Sequence, residues 1–183
     1  LQHNFHGRLN RRMLEGARIN PHLSGYCVHA LCGGDWVLGA GLIDIWRNPK
    51  GAVYTETAKA NQERILVMRV NPRNLYVGEQ IHLENFIVNE LANFSGDLIF
   101  SLESDDGTRF WTKNENINVN HGINISDKID IPSDELIGKY FIKGLLKDNK
   151  GKIIYESKIP VNVYDSSSIC LLYTSPSPRD RVL

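Results

Sequence analysis

The sequence predicts an α/β segment over residues 1–64, an all-β domain over residues 65–165 and a tail without regular structure over residues 166–183. Three observations lead to this order. One short apolar run lies between two helical patterns, short strands separated by turn residues then recur at intervals of roughly ten residues, and the strand pattern stops after Tyr164. About seven strands in roughly 100 residues are typical of an immunoglobulin-like β-sandwich.

The first element is an amphipathic helix predicted within residues 1–18 and expected to stop near Gly16. Phe5, Leu9 and Met13 recur at four-residue steps with charged residues between them, so we expect these three side chains to form one stripe on a core. The Asn20-Pro21 pair ends the helix, because a residue before proline is pushed out of the α region.

The second element is a strand predicted from Gly25 to Gly34, since this run is nearly all apolar and too short for a helix. Such a run is typical of a strand buried on both faces of a parallel sheet, whose ligand-binding residues lie just beyond its C-terminal end. Residues 33–36 are therefore the expected place for ligand contact. Cys27 and Cys32 point to opposite faces of such a strand, so we expect two buried free thiols.

The third element is a helix that we expect to begin at Asn48 and to run to about Ala60. Asn48 is a good N-cap residue, and Pro49 is favoured at the first helical position. Because this helix would lie back on the sheet, residues 1–64 are predicted to close one edge of an α/β barrel or of a doubly wound sheet.

The all-β region is predicted to contain seven strands, which are residues 65–71, 80–88, 97–103, 108–113, 122–131, 140–147 and 152–164. Two hairpin turns are expected. Asp106-Gly107 provides the backbone freedom that the first tight turn requires, and the second hairpin is expected around Asp148-Asn149-Lys150-Gly151.

The amino-acid composition limits the classes of partner that this protein is expected to bind. Lys and Arg together number 21, as do Asp and Glu, so neither nucleic acid nor an anionic membrane is an expected partner. No apolar run reaches the roughly 20 residues of a membrane span. The histidines at positions 3, 6 and 22 show no ligand spacing, and we expect no metal and no cofactor.

Both ends of the sequence suggest interruption. Residues Cys170 to Asp180 resemble the translation of a transposase-type sequencing adapter, so we expect the natural protein to depart from this sequence after Ser168 or Ile169. The sequence starts at Leu1 without an initiator Met or a signal peptide, which we interpret as an internal cut.

Several motifs in the first segment occur in a characteristic order. The run from Gly25 to Asp35 is followed by Gly41-Leu42-Ile43-Asp44, by the turn Asn48-Pro49-Lys50 and by a helix that ends near Ala60. Together they resemble the end of the catalytic barrel of glycoside hydrolase family 2, the family of β-galactosidases and β-glucuronidases. In that family a glycine opens the eighth strand, a Gly-Ile or Gly-Leu segment follows the loop, and a Lys-Pro-Lys-like turn starts the last helix.

The resemblance implies that residues 1–64 hold the last strand and helices of a (β/α)8 barrel, followed by an immunoglobulin-like β-sandwich over residues 65–165. A sandwich that begins with a Gly-Glu strand, as at Gly78-Glu79, is common after the barrel in relatives.

The activity implied by the resemblance is retaining hydrolysis, in which one Glu is the acid/base and another is the nucleophile. In the family these residues lie on the fourth and seventh barrel strands, before the region matched here. We therefore expect no catalytic residue in this chain and expect Glu15, Glu56 and Glu63 to be solvated helix charges.

The resemblance places His29, Asp35 and Trp36 at the rim that binds the sugar. The alternatives are a hydrogen-bonded core histidine for His29, and loop capping or packing for Asp35 and Trp36. His29 falls where glucuronidases carry a sugar-facing Trp. Those enzymes hold the sugar carboxylate with an Asn-x-Lys motif, and this chain has Leu38-Gly39-Ala40 there, so a neutral β-linked sugar is the expected substrate. A homo-oligomer of the whole protein is left open.

Two other functions are compatible with the sequence. The sandwich could itself be a carbohydrate-binding or adhesion module, in which case Phe110, Trp111 and Tyr140 should form a flat exposed face. Alternatively, it could be a structural spacer that braces the barrel. Alternation along the strands favours core packing of these aromatic residues.

Overall fold

The computed structural model describes residues 2–33, 41–134 and 136–165, which form a pair of helices followed by a two-sheet β-domain. The predicted tail, with the segment that resembles a translated adapter, lies outside the described residues.

The helices and strands have the following bounds. The helices are α1 (Gln2–Arg18) and α2 (Ala52–Ala60). The described strands are β1 (Arg64–Asn71), β2 (Asn74–Tyr76), β3 (Ile81–Asn89), β4 (Phe94–Ser104), β5 (Arg109–Val119), β6 (Gly122–Ile125), β7 (Ile129–Ile131), β8 (Gly138–Asp148) and β9 (Ile153–Tyr164).

Two sheets make up the β-domain. One has the order β1-β3-β6, with β7 also paired to β3, and the other has the order β2-β9-β8-β4-β5. All pairs are antiparallel except β2 with β9. The all-β prediction is thereby confirmed, whereas the immunoglobulin-like connectivity stays a prediction.

Both predicted hairpins are present. Gly107 has a φ of 88° in the turn between β4 and β5, and Gly151 has a φ of 79° between β8 and β9. These left-handed conformations are easily adopted by glycine, which has no Cβ atom. The strand predicted over residues 122–131 is divided into β6 and β7, and β2 was not predicted because three residues are too few for a period-two pattern.

The core lies between the sheets. Alternate residues of β4, namely Leu98, Phe100 and Leu102, are each at most 1% exposed and belong to a cluster with contributions from both sheets. Gly144 of β8 allows close packing, because a Cβ atom there would lie 2.6 Å from Met68 Sδ on β1. Close packing of this kind leaves little room for added volume.

Helix α1 packs against α2 through a face that differs from the predicted one. Phe5 and Met13 are 66% and 73% exposed, and the buried residues of α1 are Gly7, Leu14 and Arg18. The predicted apolar stripe is therefore wrong as the packing face in this structure. The cause is at Gly7, where a Cβ atom would lie 2.3 Å from the carbonyl oxygen of Ala52, so α2 approaches α1 along the glycine.

Arg18 joins the helices to the sandwich. Its guanidinium group donates hydrogen bonds of 2.7 Å to the carbonyl oxygens of Ala60 and Gln62 and to the carboxylate of Glu90. Because Ala60 is the last residue of α2, this buried cation also donates to a carbonyl that the helix leaves without an intrahelical donor.

The strand predicted from Gly25 is not formed in the described part of this run. Residues 22–31 are irregular and mostly exposed, and Cys32 makes a single parallel bridge to Ile43. A doubly buried strand needs paired neighbours on both sides, and the described residues provide only this bridge. Cys27 and Cys32 are free, as predicted, but both are exposed, so their predicted burial is wrong. The (β/α)8 barrel stays a prediction.

The start of α2 also differs from the prediction. The helix begins at Ala52, and Gly51 in its N-cap position makes no side-chain cap. Asn48 does not cap the helix, because its backbone and side-chain amides both bind Asp44. Pro49 forms a bridge with Ile43 instead of the first helical turn.

Candidate functional site

The best defined part of the predicted rim is a small ladder between residues 31–33 and 41–43. The amides of Leu42 and Ile43 donate to the carbonyl oxygen of Leu31 at 2.9 and 3.0 Å. Gly41 has a φ of 91°, and a Cβ atom on it would lie 2.5 Å from the amide nitrogen of Gly33. Glycine is therefore required at position 41 for the two segments to approach each other.

A tight loop around Asp44 follows the ladder. One carboxylate oxygen of Asp44 accepts the amides of Trp46 and Asn48 at 2.9 and 2.8 Å, and the other accepts the Asn48 side chain at 3.2 Å. Desolvation acts to raise the pKa of Asp44, but these hydrogen bonds and the charge of Lys50 lower it below its ordinary value. The Asp44 carboxylate therefore stabilises this loop through its hydrogen bonds.

This loop presents Trp46 to solvent. The Trp46 side chain is 70% exposed, and its neighbour Ile45 is 58% exposed. An exposed indole is a large apolar surface with one hydrogen-bond donor, and such side chains are enriched where proteins bind ligands or partners. Trp46 was not among the residues selected from the sequence, because the turn residues around it were interpreted as the start of a helix.

His29 lies on the irregular segment between α1 and the ladder, and it is exposed. The segment is held on one side by a hydrogen bond from the Tyr26 hydroxyl to Asn61, the residue after α2, and on the other by the bonds to Leu31. His29 is therefore available to a ligand. Asp35 and Trp36 lie outside the described residues, so their proximity to His29 stays a prediction.

Glu15 and Glu56, two of the glutamates expected to be solvated helix charges, lie in a different region, at the contact between the helices and the sandwich. Arg11 of α1 binds Glu15 at 2.6 Å and Glu56 at 3.1 Å, and it also donates to Ser157 of β9 at 2.9 Å. The Glu15 side chain is only 12% exposed, so the expectation of a solvated charge is wrong there. Glu63 is exposed as expected, but it lies after the end of α2 and not in a helix. Both paired carboxylates are bound to one guanidinium in the contact between helices and sandwich.

Beside this contact is an open cleft of about 380 Å³ between α2 and β9. The Tyr155 ring lies in its wall with the ammonium of Lys59 5.5 Å from the ring centroid. Burial raises the pKa of Tyr155 to about 12, and burial together with the charge of Arg11 lowers the pKa of Lys59. These groups form a cation–π contact between helix and sheet.

The aromatic residues of the sandwich do not form a flat face. Tyr140 is 8% exposed, and its ring meets that of Phe110 edge to face, with 88° between the ring planes. A shift of register in the β4–β5 pair leaves Phe110 unpaired, so Phe110 and Trp111 line the same shallow groove of about 290 Å³. This arrangement differs from the platform that a sugar-binding module was expected to show.

Two negative findings apply to the described residues. No group of three or more His, Cys, Asp or Glu side chains in residues 2–33, 41–134 and 136–165 is arranged to hold a metal ion. Within the same ranges, neither helix is long and apolar enough to span a membrane.

Comparison with known proteins gives matches of structure only. No family model matches the sequence, and no curated protein matches it. Among solved structures, a β-D-mannosidase from Dictyoglomus thermophilum matches with a TM-score of 0.70 and 19% identity, over 87% of this chain and 19% of that one. An exo-chitosanase of Amycolatopsis orientalis matches with a TM-score of 0.65 and 17% identity, over 87% and 19%.

A glycosyl hydrolase family 2 member from Bacteroides cellulosilyticus matches less extensively, with a TM-score of 0.45 and 13% identity over 55% of this chain and 15% of that one. The chain thus spans about a fifth or less of the solved enzymes it matches. The predicted resemblance to glycoside hydrolases of family 2 is confirmed as a likeness of fold.

Proposed function

We propose that this chain is the C-terminal part of a retaining glycoside hydrolase of family 2 that acts on neutral β-linked sugars. In this proposal residues 1–64 close the catalytic barrel and residues 65–165 form the domain that follows it. Both catalytic carboxylates belong to the part of the enzyme before this chain, and the substrates of the reaction are the carbohydrate and water.

The observation that supports this proposal best is the extent of the match to the two enzymes. Residues 65–165 number 101, whereas 87% of 183 residues is about 159. The matched region must therefore include much of the helix pair and its loops as well as the sandwich. A match that extends over the helical segment as well as the β-domain supports the proposal that both belong to one enzyme of this kind.

The chemistry of the rim supports a role in binding the sugar. Hydrolysis with retention needs an acid to protonate the leaving oxygen and a carboxylate to attack the anomeric carbon. Asp44, Glu15 and Glu56 are each held by hydrogen bonds or by Arg11, which supports assigning the two catalytic carboxylates to the part of the enzyme before this chain. His29 and Trp46, in contrast, are exposed on loops and can contact a ligand.

A neutral sugar is favoured by the residues available at this rim. A sugar carboxylate is usually bound by a cationic or amide pair. The Asn-x-Lys motif that binds it in glucuronidases is replaced here by Leu38-Gly39-Ala40, a sequence without a polar side chain.

The proposal is tested by activity assays on the whole protein and on this chain. We expect the whole protein to release the aryl group from a neutral aryl β-glycoside with retention, and this chain alone to release none. Hydrolysis by this chain, or a preference of the whole protein for an aryl glucuronide, would contradict the proposal.

A substitution in the whole protein tests the rim. We expect His29→Ala to lower kcat/KM by roughly tenfold or more if the imidazole contacts the sugar in the transition state. His22→Ala is the matched control, since His22 is also exposed on the same segment. Equal kinetics for the two variants, with unchanged melting temperatures, would remove His29 from the site.

A further inference from the structure

The free edge of the five-stranded sheet is a candidate interface. Strand β5 is 11 residues long and is the last strand of its sheet, paired to β4 on one side. In the described part of the chain no strand pairs with its other side. A long edge strand exposes backbone donors and acceptors that can pair with another strand.

The sequence of β5 is complementary to itself when two copies run antiparallel. With Asn114 at a two-fold axis, each residue lies opposite the one at the same distance on the other side of position 114. Lys113 then faces Glu115 of the second copy, and Trp111 faces Ile117 of the second copy. Directly opposed pairs of opposite charge and of apolar side chains are those that stabilise antiparallel strands.

The faces of the strand agree with this register. Residues 111, 113, 115 and 117 are half-buried and residues 112, 114, 116 and 118 are exposed, so every pair about Asn114 joins side chains of the same face. On the exposed face, Thr112 and Asn116 meet as a polar pair. A register shifted by one residue would join a half-buried side chain to an exposed one.

The neighbouring registers that keep the faces aligned place like charges in contact. An axis at Lys113 sets two lysines against each other, and an axis at Glu115 sets two glutamates against each other. Among these three registers, only the axis at Asn114 places each lysine opposite a glutamate. Lys113 and Glu115 also form an ion pair of 2.6 Å within one strand. Two such pairs would form a ring of alternating charges across the axis.

We propose that this protein forms a two-fold symmetric dimer in which the β5 strands of two copies pair antiparallel about Asn114. The occupant of the free edge is therefore a second copy of the same chain. The paired sheets become one continuous ten-stranded sheet, made of five strands from each copy. A contact of this kind is isologous and closes after two copies, so it does not lead to fibres.

Charge reversal tests the register without changing the fold. In Lys113→Glu each copy offers only glutamates at positions 113 and 115, and in Glu115→Lys only lysines. We expect the unsubstituted chain to have twice the mass of a single copy by light scattering, and each variant alone to have the mass of one copy. An equimolar mixture of the two variants should recover the doubled mass, because every opposed pair is then complementary.

Two further variants serve as controls. The double variant Lys113→Glu/Glu115→Lys keeps the ion pair within the strand and should form the dimer. Lys128→Glu breaks a surface ion pair with Glu84 on the other sheet and should leave the dimer unchanged. Circular dichroism of each variant checks that it folds.

Three results would overturn the proposal. These are a single-copy mass for the unsubstituted chain at every concentration, a doubled mass for folded Lys113→Glu alone, and a mixture of the folded single variants that stays at the mass of one copy.

Discussion

Arg18 shows how one side chain can connect three parts of the molecule. It is 8% exposed and donates to Ala60 at the end of α2, to Gln62 just after α2 and to Glu90 after β3. Burying a guanidinium group is unfavourable unless its charge and its N–H groups find partners. Here the partners of the two Nη atoms are two backbone carbonyls and the Glu90 carboxylate, and the buried Ala60 carbonyl would lose this donor if Arg18 were removed.

We therefore expect Arg18→Leu to lower the free energy of unfolding by about 2–3 kcal/mol, since it removes three charge-assisted hydrogen bonds, one of them to the buried carbonyl of Ala60. Arg8→Leu is the control, because Arg8 is exposed on the same helix. Urea denaturation of both variants measures the difference, and an equal loss for the two would show that the Arg18 bonds add nothing.

Glu103 makes stability depend on pH. Burial acts to raise its pKa, but hydrogen bonds from Ser101 and Arg109 and the charge of Lys143 lower it below the ordinary value of 4.5. Because the pKa is lower in the folded chain than in the unfolded one, Glu103 stabilises the fold above pH 4.5, and this contribution is lost as the pH falls through the folded value.

We expect Glu103→Gln to be less stable than the unsubstituted chain at neutral pH and to lose less stability on acidification. Urea midpoints measured at neutral pH and below pH 4.5 test this, with the exposed Glu63→Gln as the control. Parallel acid curves for Glu103→Gln and the unsubstituted chain would contradict the prediction.

At the scale of elements, the contact between α1 and α2 depends on a glycine. A Cβ atom at Gly7 would collide with the backbone of Ala52. The same helix carries a second glycine, Gly16, where an added Cβ atom would meet no neighbouring part of the molecule within 4 Å. The two positions therefore separate the effect of packing from that of helix propensity.

We expect Gly7→Ala to destabilise the chain by about 1–3 kcal/mol, because a methyl group there forces the helices apart. Gly16→Ala should stabilise it by about 0.5–1 kcal/mol, because alanine has the higher helix propensity. Thermal melts of both variants show whether each substitution lowers or raises the melting temperature. A stabilised Gly7→Ala would show that the close approach of the helices is not needed.

Elements fixed by local chemistry could be predicted from the sequence. The turns at Gly107 and Gly151 were found because their backbone conformation is a property of a few neighbouring residues. The packing face of α1 was not found, because three regularly spaced apolar side chains were outweighed by the one position, Gly7, where another helix can approach. Such a choice depends on a partner that the local pattern does not contain.

The candidate site was only partly predictable for the same reason. His29 was selected from the resemblance and is exposed, whereas the exposure of Trp46 arises from the loop that Asp44 organises. Asn48 and Pro49 are typical of a helix start, and nothing local shows that the Asp44 carboxylate binds Asn48 instead.

At the scale of the whole molecule, the sandwich has a core of its own and the helix pair adds to it. Most of the large buried side chains belong to residues 65–163, and Ile19 is the residue of the first segment that joins their cluster. The contacts of Arg11 with Ser157 and of Arg18 with Glu90 then attach the helices to the sandwich.

We expect residues 65–165 to fold alone with a cooperative thermal transition at a lower temperature than the whole chain, because these contacts are lost. Residues 1–64 alone should show no such transition, since much of their apolar surface would lack a partner. Calorimetry of the two pieces tests this, and a cooperative transition in the shorter piece would contradict it.

The order of strands in the larger sheet has a consequence for synthesis. Strand β9 is the last described strand to leave the ribosome, yet it lies between β2 and β8 and supplies four buried apolar side chains, which are Tyr155, Ile159, Val161 and Val163. Until those residues emerge, β2 has no partner in this sheet and β8 has one free edge. The nascent sandwich therefore stays open and prone to association up to its final strand, and a ribosome that stalls before Ile153 leaves a chain that cannot close its core.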